Sequence, residues 1–104
     1  MLRERPAFEM PASTFYVACY DVTSDSERDR VTDVLEGYGF RVQKSVFECR
    51  LTRSAKEKLL QQLAQLELRT GFVFLYTIGS SARRKGIGTL PSEVNADDRF
   101  SIIV

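Results

Sequence analysis

Asp21 is the residue whose type and position most suggest chemistry. It directly follows the apolar run FYVACY at residues 15–20. A short run rich in aromatic and β-branched residues predicts a buried strand. A single aspartate at a strand end is more often a turn or helix-capping residue than a ligand, but Ser24 supplies a cap of its own, which weakens that interpretation. One or two such carboxylates, with waters and a substrate phosphate, are a usual set of Mg²⁺ ligands.

Basic side chains form the second group with chemical potential. Taken singly, each is expected to be a solvated surface residue or to pair with a neighbouring acid. Gathered on one rim of a dimer, they would instead follow a phosphate backbone and hold a duplex without reading its bases. The group comprises Arg28, Arg30, Arg41, Lys44, Arg50, Arg53 and the loop residues Arg83, Arg84 and Lys85.

Composition excludes several kinds of site. The chain has 104 residues, enough for one domain, and its 15 basic and 14 acidic residues leave a formal charge of +1. The total charge therefore does not indicate a nucleic-acid binder. Histidine is absent, which removes every Ser-His and Cys-His nucleophile pair. Cys19 and Cys49 lie in apolar segments typical of buried, reduced thiols, and we expect a cytosolic protein without a membrane-spanning segment.

Two helices are predicted from helix-start signals followed by apolar residues at helical spacing. Ser24 stands three residues before Glu27, the spacing of a capping box, in which the hydroxyl and the carboxylate each satisfy a free backbone N–H. Ser54 and Glu57 repeat this spacing. The first helix is expected over about residues 25–38 and the second over about residues 54–68.

The remaining apolar segments predict strands. Residues 40–51 are rich in β-branched and aromatic residues and are interpreted as two short antiparallel strands with a turn near Lys44 and Ser45, although one continuous strand also fits. An irregular arm, residues 1–13, precedes a single domain over residues 14–104. Further strands are predicted over residues 14–21, 72–78 and 100–104, with a basic loop over residues 79–90.

The order of these elements predicts an α+β fold, βαββαβ with an additional C-terminal strand, in which two helices cover one face of an antiparallel sheet.

In residues 15–20 and 72–78, both alternating faces are apolar. Since burying one Phe or Leu side chain is worth about 1.5–3 kcal/mol, we expect the uncovered face to meet a second subunit, most simply by a two-fold axis. If that axis passes near the strand ends, two copies of Asp21 repel each other unless a proton or cation lies between them.

A specific resemblance rests on three groups of residues. They are Tyr20 and Asp21 at the end of the first strand, Arg28 and Arg30 in the first helix, and the string RVQKSVFE at residues 41–48. Over about residues 15–78 this pattern closely resembles the CRISPR-associated protein two family, the small nuclease of the CRISPR adaptation module. The resemblance implies a ferredoxin-like homodimer in which the last strand of one subunit, residues 100–104, completes the sheet of the other.

The same resemblance implies a site. Asp21 corresponds to the family's metal-binding and catalytic residue, with Mg²⁺ or Mn²⁺ as the metal, and Tyr20, Ser45 and Phe47 correspond to supporting positions. Some members resemble endonucleases acting on single-stranded RNA or double-stranded DNA, and in others the dimer bridges two integrase dimers and holds the incoming duplex. We therefore expect a spacer-acquisition protein that binds double-stranded DNA, with or without hydrolysis at paired Asp21. Its nucleic-acid contacts are expected from Arg28, Arg30, Arg41, Lys44, Arg83, Arg84 and Lys85.

Two alternatives share this architecture. One is a toxin-like ribonuclease of the related virulence-associated family, which acts without an integrase. The other is a ferredoxin-like regulatory domain that binds a small molecule at a dimer seam. A neighbouring integrase gene and repeat array would separate the first alternative from a CRISPR protein, and a lack of affinity for nucleic acid would indicate the second.

Overall fold

Six elements make up residues 12–91, the part of the chain that the computed structural model describes. They follow the predicted order, βαββαβ. The predicted C-terminal strand at residues 100–104, and all of the predicted N-terminal arm except Ala12 and Ser13, lie outside the described residues. The elements are β1 (Thr14–Val22), α1 (Asp25–Glu36), β2 (Gly39–Gln43), β3 (Val46–Leu51), α2 (Arg53–Gln65) and β4 (Gly71–Gly79).

β1 lies in the interior of a four-stranded sheet of order β2-β3-β1-β4, in which every neighbouring pair is antiparallel. The predicted α+β fold is confirmed. Residues 40–51 form the two strands β2 and β3 with a turn at Lys44 and Ser45, so the alternative of one continuous strand is wrong. β1 is in register with β3 as far as Cys19 and with β4 as far as Val22, so the strand end at Asp21 is held by β4, where it is in register with Phe72.

The core lies between the sheet and the two helices. It receives Val31 and Leu35 from α1 and Leu59 from α2, all fully buried. Burying each such side chain stabilises the fold by about 1.5–3 kcal/mol. Successive side chains of a strand alternate between faces, so with Tyr20 turned into the core, Asp21 points the other way. The β1 side chains in the core are Tyr16, Ala18, Tyr20 and Val22.

Both helices begin at a side-chain cap, but only one begins at the predicted residue. The Ser24 hydroxyl accepts a hydrogen bond from the backbone N–H of Glu27 at 3.3 Å and caps α1 as predicted. In α2 the cap is Thr52, whose hydroxyl accepts from the backbone N–H of Ala55 at 3.2 Å. The predicted cap at Ser54 is wrong, because β3 continues almost directly into α2 and the first side-chain oxygen after the strand takes the capping position. Both helices also end before the predicted residues.

The opposite face of the sheet, which we call the open face, carries no helix among residues 12–91. Since Val73 and Leu75 of β4 pack against the core, the alternate β4 side chains project from the open face. These side chains form an apolar row and are each about half exposed. We call Phe72, Phe74, Tyr76 and Ile78 the aromatic row; the ring centroids of Phe72 and Phe74 are 4.8 Å apart.

The buried cysteine, Cys49, is expected to be unreactive. Both cysteines are free, and Cys49 is buried whereas Cys19 is half-buried. Burial, with a smaller contribution from the charge of Glu48, raises the pKa of the Cys49 thiol to about 11. The Cys49 thiol therefore stays protonated near neutral pH and is a poor nucleophile. Neither helix in the described range is long and apolar enough to cross a membrane.

Candidate active site

Asp21 lies near the end of β1 with its side chain exposed. Its neighbours Tyr20 and Val22 are both buried in the core, so strand alternation directs Asp21 away from the helices. In the sheet, Asp21 is in register with Phe72, the first member of the aromatic row. The carboxylate therefore stands at the edge of the open face, within reach of water or of a second molecule.

A recess of about 480 Å³ opens beside Asp21, and we call it the strand-end recess. Its walls come from β1, α1, β2 and the β2–β3 turn, and they carry three cations and two carboxylates. A larger cleft of about 780 Å³ lies between α1 and α2, but none of the predicted site residues lines it. The strand-end recess is therefore the candidate site. It is lined by Tyr20, Asp21, Val22, Arg28, Asp29, Thr32, Arg41, Lys44 and Ser45.

The backbone carbonyl of Lys44 gathers the donors that hold the recess together. The Tyr20 hydroxyl donates to this carbonyl at 3.2 Å, and Nε of Arg41 donates to it at 3.1 Å. Because the Tyr20 hydroxyl has only one proton to give, the Thr32 hydroxyl, 2.7 Å away, is the donor in their contact. The backbone N–H of Tyr20 also donates to the carbonyl of Ser45 at 3.1 Å. The β2–β3 turn is thus tied to both β1 and α1.

Phe47 lies beneath the recess rather than in its wall. Its side chain is fully buried, and its ring stacks with that of Tyr20 at a centroid distance of 6.4 Å. The guanidinium carbon of Arg41 lies 5.7 Å from the centroid of the Phe47 ring, within the range of a cation–π contact. Phe47 therefore contacts the two side chains whose polar ends meet at the Lys44 carbonyl.

Arg28 reaches the recess but is also engaged with the backbone. Its guanidinium donates to the carbonyls of Val22 at 2.9 Å and Thr23 at 3.4 Å, and it forms an ion pair with Asp25. It therefore holds the end of β1 against α1 in addition to contributing positive charge. Arg30 is exposed on α1 and does not line the recess.

The basic loop that follows β4 does not join the recess. Nε of Arg84 donates to Oε1 of Glu48 at 2.9 Å, in an ion pair whose side chains are only 20% and 11% exposed. Glu48 lies between the buried residues Phe47 and Cys49 of β3, so it faces away from the helices. The predicted basic stripe is therefore divided between two surfaces. Arg28, Arg41 and Lys44 line the recess with Asp21, whereas Arg83, Arg84 and Lys85 do not.

The recess also contains polar residues that the sequence pattern did not single out. Asp29 and Thr32 both line it from α1. Thr32 is four residues beyond Arg28, and residues at this spacing share one helix face, so the helical period carried a signal for Thr32. Glu27, which lies outside the recess, was predicted only as part of the capping box, and its contacts with residues 69 and 70 left no signal because those residues are distant in the chain.

One protomer offers a metal ion few protein ligands. Among residues 12–91, no group of three or more Asp, Glu, Cys or His side chains is placed to hold a metal. Asp21 and Asp29 both line the recess, and Mg²⁺ commonly uses one or two carboxylates together with waters and substrate phosphates. The donor set fits a hydrated, oxygen-binding cation such as Mg²⁺ or Mn²⁺ and does not fit a structural metal enclosed by protein ligands.

A strand-end carboxylate beside arginines occurs in many folds, and the family match decides which one this is. The model of the family described as CRISPR associated protein Cas2 matches residues 14–85. This chain belongs to the Cas2 family. The structure of a hypothetical protein, TT1823, from Thermus thermophilus aligns with a TM-score of 0.67 at 30% identity, covering 76% of this chain and 95% of that one. Streptococcus pyogenes Cas2 aligns with a TM-score of 0.57 at 28% identity, covering 62% of this chain and 86% of that one. The predicted family and the ferredoxin-like fold are confirmed.

Cas2 relatives named as nucleases share parts of the sequence. A Synechocystis protein named CRISPR-associated endoribonuclease Cas2 3 is 47% identical over 51 residues, which are 49% of this chain and 55% of that protein. A Thermus thermophilus protein named CRISPR-associated endonuclease Cas2 2 is 34% identical over 77 residues, 73% of this chain and 86% of that protein. The chain thus spans about half the length of the Synechocystis relative and most of the Thermus relative.

Proposed function

We propose that this Cas2 protein works in CRISPR adaptation as a homodimer that binds double-stranded DNA and cleaves phosphodiester bonds with the help of Mg²⁺ or Mn²⁺. One observation carries the proposal: the strand-end recess places Asp21 beside Arg41 and Lys44 at the edge of the open face. Phosphodiester hydrolysis uses carboxylates to hold a metal and fixed positive charge to bind the phosphate. The printed names of the relatives, an endoribonuclease and an endonuclease, support the same chemistry.

The aromatic row supports a second copy on the open face. Its side chains are about half exposed in the protomer. Burying apolar surface in an interface contributes about 25 cal/mol of favourable free energy per Å². A two-fold contact would place the row of each protomer against the same surface of the other. Because Asp21 is in register with Phe72, this contact would also bring the two Asp21 carboxylates towards each other. A shared cation would relieve their repulsion.

The recess residues would divide the work of the reaction. Asp21 would hold the metal, which when bound polarises the phosphate and lowers the pKa of coordinated water. Arg41 and Lys44 would bind phosphate oxygens beside it. Tyr20 would keep the cationic turn in place, since its hydroxyl and Nε of Arg41 meet at one carbonyl, that of Lys44.

Longer nucleic acid would extend beyond the recess onto the outer basic residues. Arg30, Arg83 and Lys85 are exposed outside it, and contacts from such residues position a duplex without reading its sequence. In this proposal the dimer holds the DNA duplex between two integrase dimers, as the family resemblance implies. Single-stranded RNA is the other substrate that the hydrolysis experiment includes.

Substitution of Asp21 tests the reaction. Wild-type protein is expected to cleave double-stranded DNA or single-stranded RNA with Mg²⁺ or Mn²⁺ and to stop when EDTA is added. Asp21→Ala should lower the rate by about 100-fold or more, because the metal loses its ligand. Asp33→Ala removes an exposed carboxylate from α1 outside the recess and should leave the rate unchanged.

The outcomes of that experiment separate the parts of the proposal. Cleavage by Asp21→Ala at the wild-type rate would exclude Asp21 as the metal ligand. Wild-type protein that binds duplex DNA and captures the integrase without cleaving would retain the bridging role and lose the hydrolytic one. Wild-type protein that neither binds nor cleaves nucleic acid would contradict the proposal as a whole.

A pair of substitutions tests which cations contact the phosphates. Lys44→Ala leaves the Lys44 carbonyl and its hydrogen bonds in place, and it should reduce the slope of log affinity against log salt by about one. Arg84→Ala should leave that slope unchanged and lower the free energy of unfolding by about 1–3 kcal/mol, because Glu48 loses a shielded partner. Anisotropy of a labelled duplex and urea unfolding measure the two effects. The opposite pattern, with the slope reduced in Arg84→Ala and unchanged in Lys44→Ala, would place a phosphate contact on Arg84 and none on Lys44.

A further inference from the structure

A hydrogen-bonded clamp joins α1 to the residues before β4. The Glu27 carboxylate, in a residue only 7% exposed, accepts from the backbone N–H groups of Arg69 and Thr70, each at 3.0 Å. The Thr70 hydroxyl donates to the same carboxylate at 2.6 Å. In a capping box this carboxylate would accept from the N–H of Ser24. Here it accepts three bonds from two consecutive residues of a different part of the chain.

Thr70 extends this attachment to the segment that follows Asp21. Its hydroxyl oxygen accepts from the backbone N–H of Ser24 at 3.0 Å. Its carbonyl accepts from both the backbone N–H and the hydroxyl of Thr23, each at 3.1 Å. The Thr70 hydroxyl thus donates to Glu27 of α1 and accepts from Ser24, the cap residue that follows the strand end, so removing it loses one hydrogen bond on each side of Thr70 and leaves the backbone hydrogen bonds of the clamp in place.

Gly71, the next residue, brings β4 into close contact with the backbone of Asp21. It is in register with Val22, and a Cβ atom at Gly71 would collide with the carbonyl oxygen of Asp21. From the other side, the Arg28 guanidinium donates to the carbonyls of Val22 and Thr23. The backbone on both sides of Val22 is therefore fixed by groups that lie outside β1.

We propose that Glu27 and Thr70 are positioning residues for Asp21, which hold the strand end so that the Asp21 carboxylate is correctly placed to bind a divalent cation. Neither residue lines the recess, so both act through the backbone of residues 21–24. The inference rests on the proposed role of Asp21 in metal binding. Simple anchoring of α1 would use the same hydrogen bonds, and the two explanations differ in what happens to Asp21 when the clamp is removed.

Substitutions at Thr70 distinguish the two explanations. Thr70→Val removes the hydroxyl at nearly constant volume, whereas Thr70→Ser retains it. Glu27→Gln weakens the clamp from the other side, and Glu36→Gln makes the same charge change at the exposed end of α1. Thermal unfolding selects the variants that are folded, and should Thr70→Val fail to fold, Glu27→Gln takes its place. NMR then reports the order parameters of residues 21–24 and the line broadening at Asp21 during a Mn²⁺ titration.

The expected result is a selective loss at Asp21. Thr70→Val and Glu27→Gln should lower the order parameters of residues 21–24 and weaken Mn²⁺ binding by about tenfold, with kcat reduced and KM for the nucleic acid unchanged. Thr70→Ser and Glu36→Gln should keep wild-type values. Rescue by serine ties the effect to the hydroxyl and not to the volume of the side chain.

Two outcomes would count against different claims. If the amides of Thr23 and Ser24 exchange faster in Thr70→Val while order and Mn²⁺ binding at Asp21 are unchanged, the clamp is only an anchor and the positioning proposal is overturned. If wild-type protein binds no Mn²⁺ near Asp21, the proposed function fails instead. The order parameter of Asp21 in Thr70→Val then still decides whether the clamp positions the strand end.

Discussion

The Glu27 carboxylate lies in an environment that favours its charged form. The hydrogen bond from the Thr70 hydroxyl is the largest influence, and the N–H groups of Arg69 and Thr70 and the charge of Arg30 act in the same direction. Together they outweigh the opposing effect of burial and lower the pKa of Glu27 from its ordinary value of 4.5. A carboxylate with a lower pKa in the folded state than in the unfolded state stabilises the fold above the unfolded-state pKa. This contribution is lost as the pH falls through the folded-state pKa.

Glu27 should therefore contribute to acid sensitivity. The free energy of unfolding is expected to fall as the pH drops below the ordinary glutamate pKa of 4.5, because the Glu27 carboxylate takes up a proton and the clamp weakens. Glu27→Gln should be less stable than wild type at neutral pH, and the difference should shrink in acid. Urea unfolding over a pH series measures this, with Glu36→Gln as the charge-matched control. A difference between wild type and Glu27→Gln that does not change with pH would contradict the assignment.

Predictability at this scale depended on whether a residue's partner is local. The position of Asp21 at a strand end could be predicted because it follows an apolar run in the chain, and the cap at Ser24 because its contact is three residues away. The other predicted capping-box contact, from the backbone N–H of Ser24 to the Glu27 carboxylate, was wrong. Three donors at residues 69 and 70 bind that carboxylate instead. Such a distant partner leaves no trace in the spacing of the sequence.

The close packing of β4 against β1 requires a glycine at position 71. A Cβ at Gly71 would collide with the backbone of Asp21, so Gly71→Ala must push β4 away from β1 and should cost about 3 kcal/mol of unfolding free energy. Gly37→Ala is the matched control, because a Cβ there meets the Val34 carbonyl at an ordinary 3.4 Å, and φ is −77°. It should change stability by less than about 0.5 kcal/mol. Equal effects of the two substitutions in urea unfolding would contradict the close approach of β4.

The existence and order of the elements followed from the sequence more reliably than their ends. Alternation and helical spacing average over many residues, so one unusual residue does not hide a strand or a helix. An end depends on which side chain reaches the last free N–H, and in α2 Thr52 takes this position instead of Ser54. The same limit applies to the loop after β4, where the pairing of Arg84 with Glu48 joins residues from separate elements.

At the scale of the whole molecule, the aromatic row predicts how copies associate. Phe74 lies within the row, with its ring centroid 4.8 Å from that of Phe72 and 5.9 Å from that of Tyr76. Phe74→Lys places a charge at the interface of the proposed dimer and is expected to give monomers in sedimentation analysis and to abolish the proposed hydrolysis. Gln61→Lys adds the same charge on exposed α2 and should remain dimeric. Dimers of unchanged stability in Phe74→Lys would exclude the open face as the interface.

The interior position of β1 has a consequence for how the protein reaches its native state. Both neighbours of β1 follow it in the chain, β3 after the first helix and β4 only after the second. Pairing between distant strands forms slowly, because closing the long loops costs entropy before the strands make contact. A nascent chain that has not yet released β4 lacks both the partner of Asp21 and the residues that clamp its backbone. The complete recess and the clamp behind it are therefore expected to form late in folding, after synthesis has passed the last described strand.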